Sequence, residues 1–466
     1  MSGLFSSLNA SVKALSAQSR ALETTGKNLA NVNNTSYARQ KVIFGDRGTV
    51  ETPEGAESLG LEALGIQQVR DALLDKQVMR EIAMSAATTA QQQTYQRTQA
   101  SLGQTVASTS GANSSTSGLG GAIDDFFNAF QSFASRPTDD GEKQTLLQKA
   151  GILTDRFQQT DARLGQVQTD IDSQIQSDVG DANQLLATIA DLNKQIGRIE
   201  IGRPGSAIDL RDQRQARLED LAAKLPIETR ISTNGMINVV MKDSSNADVV
   251  LVSNSNVVGP VAFTGTGFTG GASNTALAFS SGSTAGLLNA RDNAVQNLRD
   301  QLDQLANQIT TSVNAAYNPS STVGQNFFAP AGTTAGTVDL DAALNVSTVR
   351  AGTIAAGDNT LALAVAGISS TVFSTGSGDA IDGTIGKFYT SAASDLGQAL
   401  SAVNARLDDQ AGIEKLVRTQ RDGVSGVSLD EEMADLVRYQ RAFQASSRVF
   451  SIVDDLLDLV VNRLGQ

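Results

Sequence analysis

Apolar residues recur every seven positions at both ends of this chain, and that spacing limits what it can fold into more than any other feature. Leu8, Leu15, Leu22 and Leu29 form one series, with Phe5 and Val12 beside them on the same helical face. Leu436, Phe443, Phe450, Leu457 and Leu464 form another, with Tyr439, Val453 and Val460 in the intervening positions and Ser446 the one small exception. A narrow heptad stripe is the pattern of a coiled-coil seam, which must face a partner helix. Each buried Leu or Phe contributes roughly 1.5–3 kcal/mol, so two seams left in water are unfavourable. The simplest solution pairs the two ends with each other. Ser428 and Glu431 have capping-box spacing at the start of the last helix. From Leu429 to Leu464 a straight helix would run about 54 Å, at roughly 1.5 Å per residue.

Between the ends the pattern changes several times. Asn31–Tyr37 (NVNNTSY) is a cluster of turn formers that stops the first helix. Gln40–Phe44 alternates like a short strand, and Gly45–Gly60 reads as loop. Leu73 to Val106 reads as a helix with a weak core face, followed by a Ser/Gly/Thr linker, Ser108–Gly121. Ile123, Phe126, Phe127, Phe130 and Phe133 then form a strongly apolar helical face, broken at Arg136–Pro137. Ile171, Ile175, Ala182, Leu185, Ile189, Leu192, Ile196 and Ile199 step by threes and fours, with Asp178 the one off-pattern member, as a bundle helix does. Ile208–Leu225 is a further helix, stopped by Pro226.

Beyond Pro226 the character is β. Glu228–Ser232 and Met236–Met241 flank Asn234–Gly235, a strong hairpin signal. Val249–Val252 and Val261–Phe263 look like further strands. Helix returns at Ala285, with Leu288, Val295, Leu298, Leu302, Leu305 and Ile309 in series, and again over Phe388–Leu416. The expected fold is mainly α: terminal helices paired as a coiled coil, a central helical bundle and an inserted outer β domain. The expected division is 1–45 with 425–466 as an inner part, 46–225 with 286–424 as a helix-rich middle, and 226–285 as the β part.

The composition narrows the chemistry. The 466 residues include no Cys, His or Trp. Thiolate and imidazole catalysis and the commonest metal ligands are therefore absent from this chain. A net charge of -13 repels phosphate backbones, so nucleic acid is not an expected partner. Met1–Ala10 lacks the basic start and apolar run of a Sec-type signal peptide. No stretch approaches the roughly 20 apolar residues that span a bilayer, so membrane insertion is not expected. Gly265, Gly267 and Gly270 spell G-x-G-x-x-G, but a Ser/Thr/Ala run follows where a helix should open, so a β loop is the better reading. Acidic pairs such as Asp408–Asp409 and Glu431–Glu432 lie mostly at helix starts or on polar helix faces, where solvation and the helix dipole explain them. Asn28, Asn31, Asn33 and Asn34 read first as a helix stop, and second as a contact for neighbouring subunits. No catalytic, cofactor or metal site is expected.

Two motifs then carry a resemblance. Leu22–Gln40 (LETTGKNLANVNNTSYARQ) resembles the N-terminal signature of bacterial flagellar axial proteins, a helix ending in an N-N-[IL]-A-N-x-N-x-x-x-Y-like run. Lys27 stands where a second Asn is common, and Thr35–Ser36 where many relatives have a Pro-Gly-type turn. Gly426–Asp458 resembles the hook-associated protein 1 family in its S-L-D-E-E start, its Y-Q-x-A-[FY]-Q-A-S centre and its D-x-L-L-D end. Arg136–Leu153, Asp209–Leu225 and Leu287–Tyr317 are similar to internal stretches of the same family. The resemblance implies a secreted structural protein of the hook–filament junction, exported by the flagellar type III apparatus with a dedicated chaperone. It implies contact with further copies of itself, with the hook protein and with a second junction protein. The seam residues, with Asn31, Asn33 and Tyr37 at the exit turn, become the expected assembly interface. A hook, rod or flagellin-type axial subunit is the alternative within the same class. A carboxylate-dependent surface hydrolase is the alternative outside it.

Overall fold

The computed structural model describes residues 2–46, 48–52, 55–58, 60–102, 118–354 and 357–459. The chain opens with helix α1 (Ser2–Ala30) and four short strands, β1 (Gln40–Asp46), β2 (Thr49–Thr52), β3 (Gly55–Ser58) and β4 (Leu61–Gln68). Four helices follow: α2 (Ala72–Ser101), α3 (Gly118–Ser135), α4 (Asp140–Ile199) and α5 (Ile208–Lys224). The β segment contains β5 (Glu228–Ile231), β6 (Ile237–Lys242), β7 (Asp248–Ser253), β8 (Asn256–Val257), β9 (Ala262–Phe263), β10 (Phe268–Gly270) and β11 (Thr275–Ala276). Helix resumes with α6 (Ser283–Asn289), a π-helical turn over Ala290–Val295, and α7 (Gln296–Tyr317). The chain closes with α8 (Thr360–Gly367), α9 (Ile385–Ser425) and α10 (Leu429–Asp458). The fold is mainly α with small antiparallel sheets, as the periodicities predict. Two compact units form: Met1–Ser85, Val179–Gly282 and Gln410–Gln466 make one, and Ala86–Asp178 with Ser283–Asp409 make the other.

In the first unit α1 packs against α10, β1 and β4. The C-terminal end of α1 meets the first turn of α10 through a hydrogen bond from Asn28 to Glu432, so the two helices run antiparallel. β1 and β4 pair antiparallel, with a shift in register between Ile43 and Phe44. Between them β2 and β3 form a hairpin where the sequence reads as loop. Strands β5-β6-β7-β8 form a four-stranded antiparallel sheet, and β9, β10 and β11 a three-stranded one. The Asn234–Gly235 signal is borne out: Ile231 pairs with Ile237 across it, and Gly235 takes φ +70, which a residue without Cβ adopts freely. Gly265 likewise turns at φ +89 into β10, a β loop and not the strand-to-helix turn of a dinucleotide site.

Two details of the apolar stripes differ from expectation. On α4, Leu186 is fully buried and Leu185 only half-buried, while Ile199 is 51% exposed. The 60-residue helix keeps a 3.6-residue period, so an apolar series drifts around its axis and the sequence alone does not say which neighbour enters the core. At the π turn, Leu287 is buried and Leu288 half-buried, because one wide turn displaces the stripe by a residue before Val295, Leu298, Leu302, Leu305 and Ile309 regain the core. The linker expected at Ser108–Gly121 lies outside the described residues except for Gly118–Gly121, which begin α3.

The second unit is organised by aromatic packing. Phe126, Phe130 and Phe133 on α3 are fully buried. The Phe126 ring lies 5.8 Å from Phe327 and 5.6 Å from Phe328, and Tyr317 reaches Phe327 at 5.3 Å. Asn314 Oδ1 accepts the backbone N–H groups of both Phe327 and Phe328, fixing this loop against α7. Ile385, Tyr389 and Leu396 of α9 are buried in the same unit.

Candidate assembly site at the paired chain ends

The residues fully buried along α1 are small or polar: Ala17, Ala21, Thr24, Thr25 and Asn28. Leu8, Leu15, Leu22 and Leu29 flank them and are only half-buried. On α10, Val453 and Leu457 are each 9% exposed, Leu436, Tyr439 and Phe450 are half-buried, and Phe443 is 36% exposed. The Tyr439 ring lies 6.1 Å from Phe44 on β1. Val460 and Leu464 lie outside the described residues, as does the Phe5 side chain. Asn31 is half-buried, donates to Lys27 O and accepts from Asn34, while Asn33 is exposed. Asn31 and Tyr37 line a cleft of about 690 Å³ together with Asp209, Asp212 and Arg217.

The ends are locked by polar groups more than by leucines. Asn28, 1% exposed, donates from Nδ2 to Gln40 O and to Glu432 Oε2, both at 2.9 Å. Its Oδ1 accepts from the Tyr37 hydroxyl at 2.9 Å and from Gln40 N at 3.0 Å. Both amide hydrogens and both lone pairs are therefore used, and one side chain ties α1, its exit turn, β1 and α10 together. Burial raises the Tyr37 hydroxyl pKa, and Asp212, Asp209 and Glu432 push it further in the same direction.

Arg39 supplies the charge. Its Nε donates to Glu432 Oε1 at 2.6 Å, a second nitrogen bonds Glu431, and the third lies 3.7 Å from Asp435. The Glu432 side chain is only 2% exposed. Burial alone would lower the Arg39 guanidinium pKa, but the hydrogen bonds and charges of Glu431 and Glu432 hold it above its ordinary value. The capping box expected at Ser428 does not form. Ser428 has extended backbone at the N-cap position but makes no side-chain cap, and Glu431 turns to Arg39 instead. A full guanidinium charge outcompetes one backbone N–H for that carboxylate.

A second cluster holds the exit turn from behind. Arg70 bonds Asp75 at 3.0 Å, Asp212 at 2.6 Å and Ser36 O at 3.0 Å. Gln68 also bonds Asp212. Arg421 bonds Glu219 at 2.8 Å and Thr35 O at 2.9 Å. Two carboxylates share the Arg70 guanidinium, and burial pushes Asp212 up to about 6 against the opposing pull of Arg70, the Ala38 N–H and Gln68. Asp75 is raised for the same first reason. A carboxyl raised on folding stabilises the fold in its protonated form. That contribution is complete below about pH 4, is lost as pH rises towards about 6, and is flat above. Asp212→Asn mimics the protonated form, so its stability relative to the wild type should rise across that window by on the order of 2–3 kcal/mol. Urea unfolding of both proteins at several pH values checks this; parallel profiles would contradict it.

Among the described residues no group of three or more acidic side chains is placed to hold a metal ion, and no helix is long and apolar enough to cross a membrane.

Comparison with known proteins separates the possibilities. A profile described as "Flagella basal body rod protein" matches residues 8–37, and one described as "Flagellar basal body rod FlgEFG protein C-terminal" matches residues 422–464. Between them, "Flagellar hook-associated protein FlgK helical domain" matches residues 108–328. Flagellar hook-associated protein 1 of Bacillus subtilis strain 168 is 23% identical over 519 residues, spanning 100% of this chain and 99% of its own. Along its whole length the chain is similar to flagellar hook-associated protein 1. The protein of the same name from Salmonella typhimurium is 23% identical over 559 residues, 98% of this chain and 99% of the relative. That of Escherichia coli K12 is 26% identical over 337 residues, covering 69% and 59%. The solved flagellar hook junction protein FlgK from Burkholderia pseudomallei aligns with a TM-score of 0.45 at 19% identity, over 55% of this chain and 46% of that one.

Set beside these matches, the geometry above acquires a place. The two rod-type matches cover α1 from residue 8 with its exit turn, and α10, so Asn28, Tyr37 and Glu432 all fall inside them. Arg39, two residues past the first match, completes the lock. Sequence reading alone picks Tyr37 and both helices, but takes Asn28 for part of a helix stop, assigns Glu431–Glu432 to solvation and the helix dipole, and passes over Arg39. The only local signal was a polar residue, Asn28, standing in a helix beside an apolar series.

Proposed function

We propose that this chain is the structural junction protein between flagellar hook and filament: it assembles at the distal end of the hook, and its paired ends dock there. The observation that carries this reading is the antiparallel α1–α10 pair, tied by Asn28, Arg39 and Glu432 and coinciding with both rod-type matches. The small-residue face of α1 is already used inside the chain, while Leu8, Leu15, Leu22 and Leu29 keep exposed surface for neighbouring copies. The expected partners are further copies of the chain, the hook protein, a second junction protein and an export chaperone. Secretion is by the flagellar type III route, and the role is structural with no turnover. The strands of 226–285 form their own sheets, which supports assigning them to an outer part of the subunit.

Phe443→Asp tests the docking role. Phe443 is 36% exposed, so the free chain should fold within about 1 kcal/mol of wild type. In a strain lacking its own copy, the variant should leave hooks without filaments. Normal filaments on those cells would remove the α10 stripe from the interface.

A further inference from the structure

We infer that one internal water molecule belongs to this fold, bound where the chain passes from α1 and from α9 into the elements that follow them. A cavity of about 10 Å³ is lined by Thr35, Ser36, Arg70, Asp75, Arg421 and Ser425, among others. By this measure of volume that is close to the smallest space a single water occupies. Three buried polar atoms of these lining residues have no hydrogen-bond partner among the described residues: Arg70 Nε, Asp75 Oδ1 and Ser425 Oγ. Asp75 and Ser425 are each 5% exposed. Their neighbours are occupied elsewhere: Asp75 Oδ2 and the terminal nitrogens of Arg70 pair with each other, with Asp212 and with Ser36 O, and Arg421 is held by Glu219 and Thr35 O.

The chemistry of the lining selects the ligand. The guanidinium N–H offers a proton, the carboxylate oxygen accepts one, and the hydroxyl does either. A cation would face the Arg70 donor, and an anion would face the Asp75 carboxylate. Water satisfies all three at once, accepting from Arg70 and donating to Asp75, with Ser425 free to complete the set. Leaving such atoms unsatisfied is costly for a buried group. The water would thus bridge the start of α2 to the last residue of α9, next to the turn that leads from α1 to Arg39.

A high-resolution crystal structure of the full chain tests this, with Ser425→Ala and Ser425→Val beside the wild type. The expected result is one ordered water within hydrogen-bond distance of Asp75 Oδ1 and Arg70 Nε, retained in Ser425→Ala and expelled in Ser425→Val. Water-oxygen relaxation dispersion in solution should show one long-lived internal water fewer in Ser425→Val than in the wild type. A dry cavity in the wild type, or side chains that close it by bonding one another, would overturn the inference. So would an equal count of long-lived waters in the wild type and Ser425→Val.

Discussion

Arg39→Ala is expected to cost the first compact unit about 3–5 kcal/mol, the usual penalty for stranding one member of a buried ion pair. The reason lies in Glu432, whose side chain is 2% exposed and whose Oε1 would lose the Arg39 guanidinium. Asn28 would still donate to Oε2, but a neutral amide does not offset a buried carboxylate charge. The effect should concentrate at the chain ends. Hydrogen exchange should show α1 and α10 losing amide protection, with the aromatic cluster of the second unit unchanged. Arg39→Lys should recover only part of the loss, because an ammonium cannot bond Glu431 and Glu432 through a rigid fork. Loss below about 1 kcal/mol would mean that the helix seam, not the polar lock, holds the ends.

Phe126→Ala is the second large effect, and it falls on the other unit. Phe126 is fully buried and touches Phe127, Phe130, Phe327 and Phe328 with ring separations between 5.1 and 5.8 Å. Removing a buried ring from such a site costs about 3–5 kcal/mol through lost transfer energy and the cavity left behind. Thermal unfolding followed by near-ultraviolet signals of the Phe and Tyr residues should show the loss, since the chain has no Trp. Phe126→Leu, which keeps most of the volume, should cost clearly less. Equal losses for both variants would point to the geometry of the aromatic cluster and away from volume.

Local periodicity explains what the sequence disclosed. The heptad ends, the phenylalanine face of α3 and the hairpin at Asn234–Gly235 all signal through residues within a few turns or strand positions of each other. The β2–β3 hairpin does not: Thr49–Thr52 and Gly55–Ser58 are short and largely polar, so they carry no apolar alternation to read. The same limit hid the site. Arg39 and Glu432 are separated by 393 positions, and Asn28 and Glu432 by 404, so nothing in either neighbourhood announces the other. The heptad rule also favoured large side chains. It marked Leu8, Leu15, Leu22 and Leu29, and passed over Ala17 and Ala21, which are small enough to be enclosed completely. The leucines are the better candidates for contacts between subunits for the same reason that they are poorer core residues here: they retain surface.

The most direct test of the account is electron microscopy of hook tips from a strain that lacks its own copy of this protein, supplied with the wild type or with Arg39→Ala. The account predicts an added layer at the distal hook end, and filaments beyond it, with the wild type, and bare hooks with Arg39→Ala. A complete layer built by Arg39→Ala, or no layer built by the wild type, would contradict it.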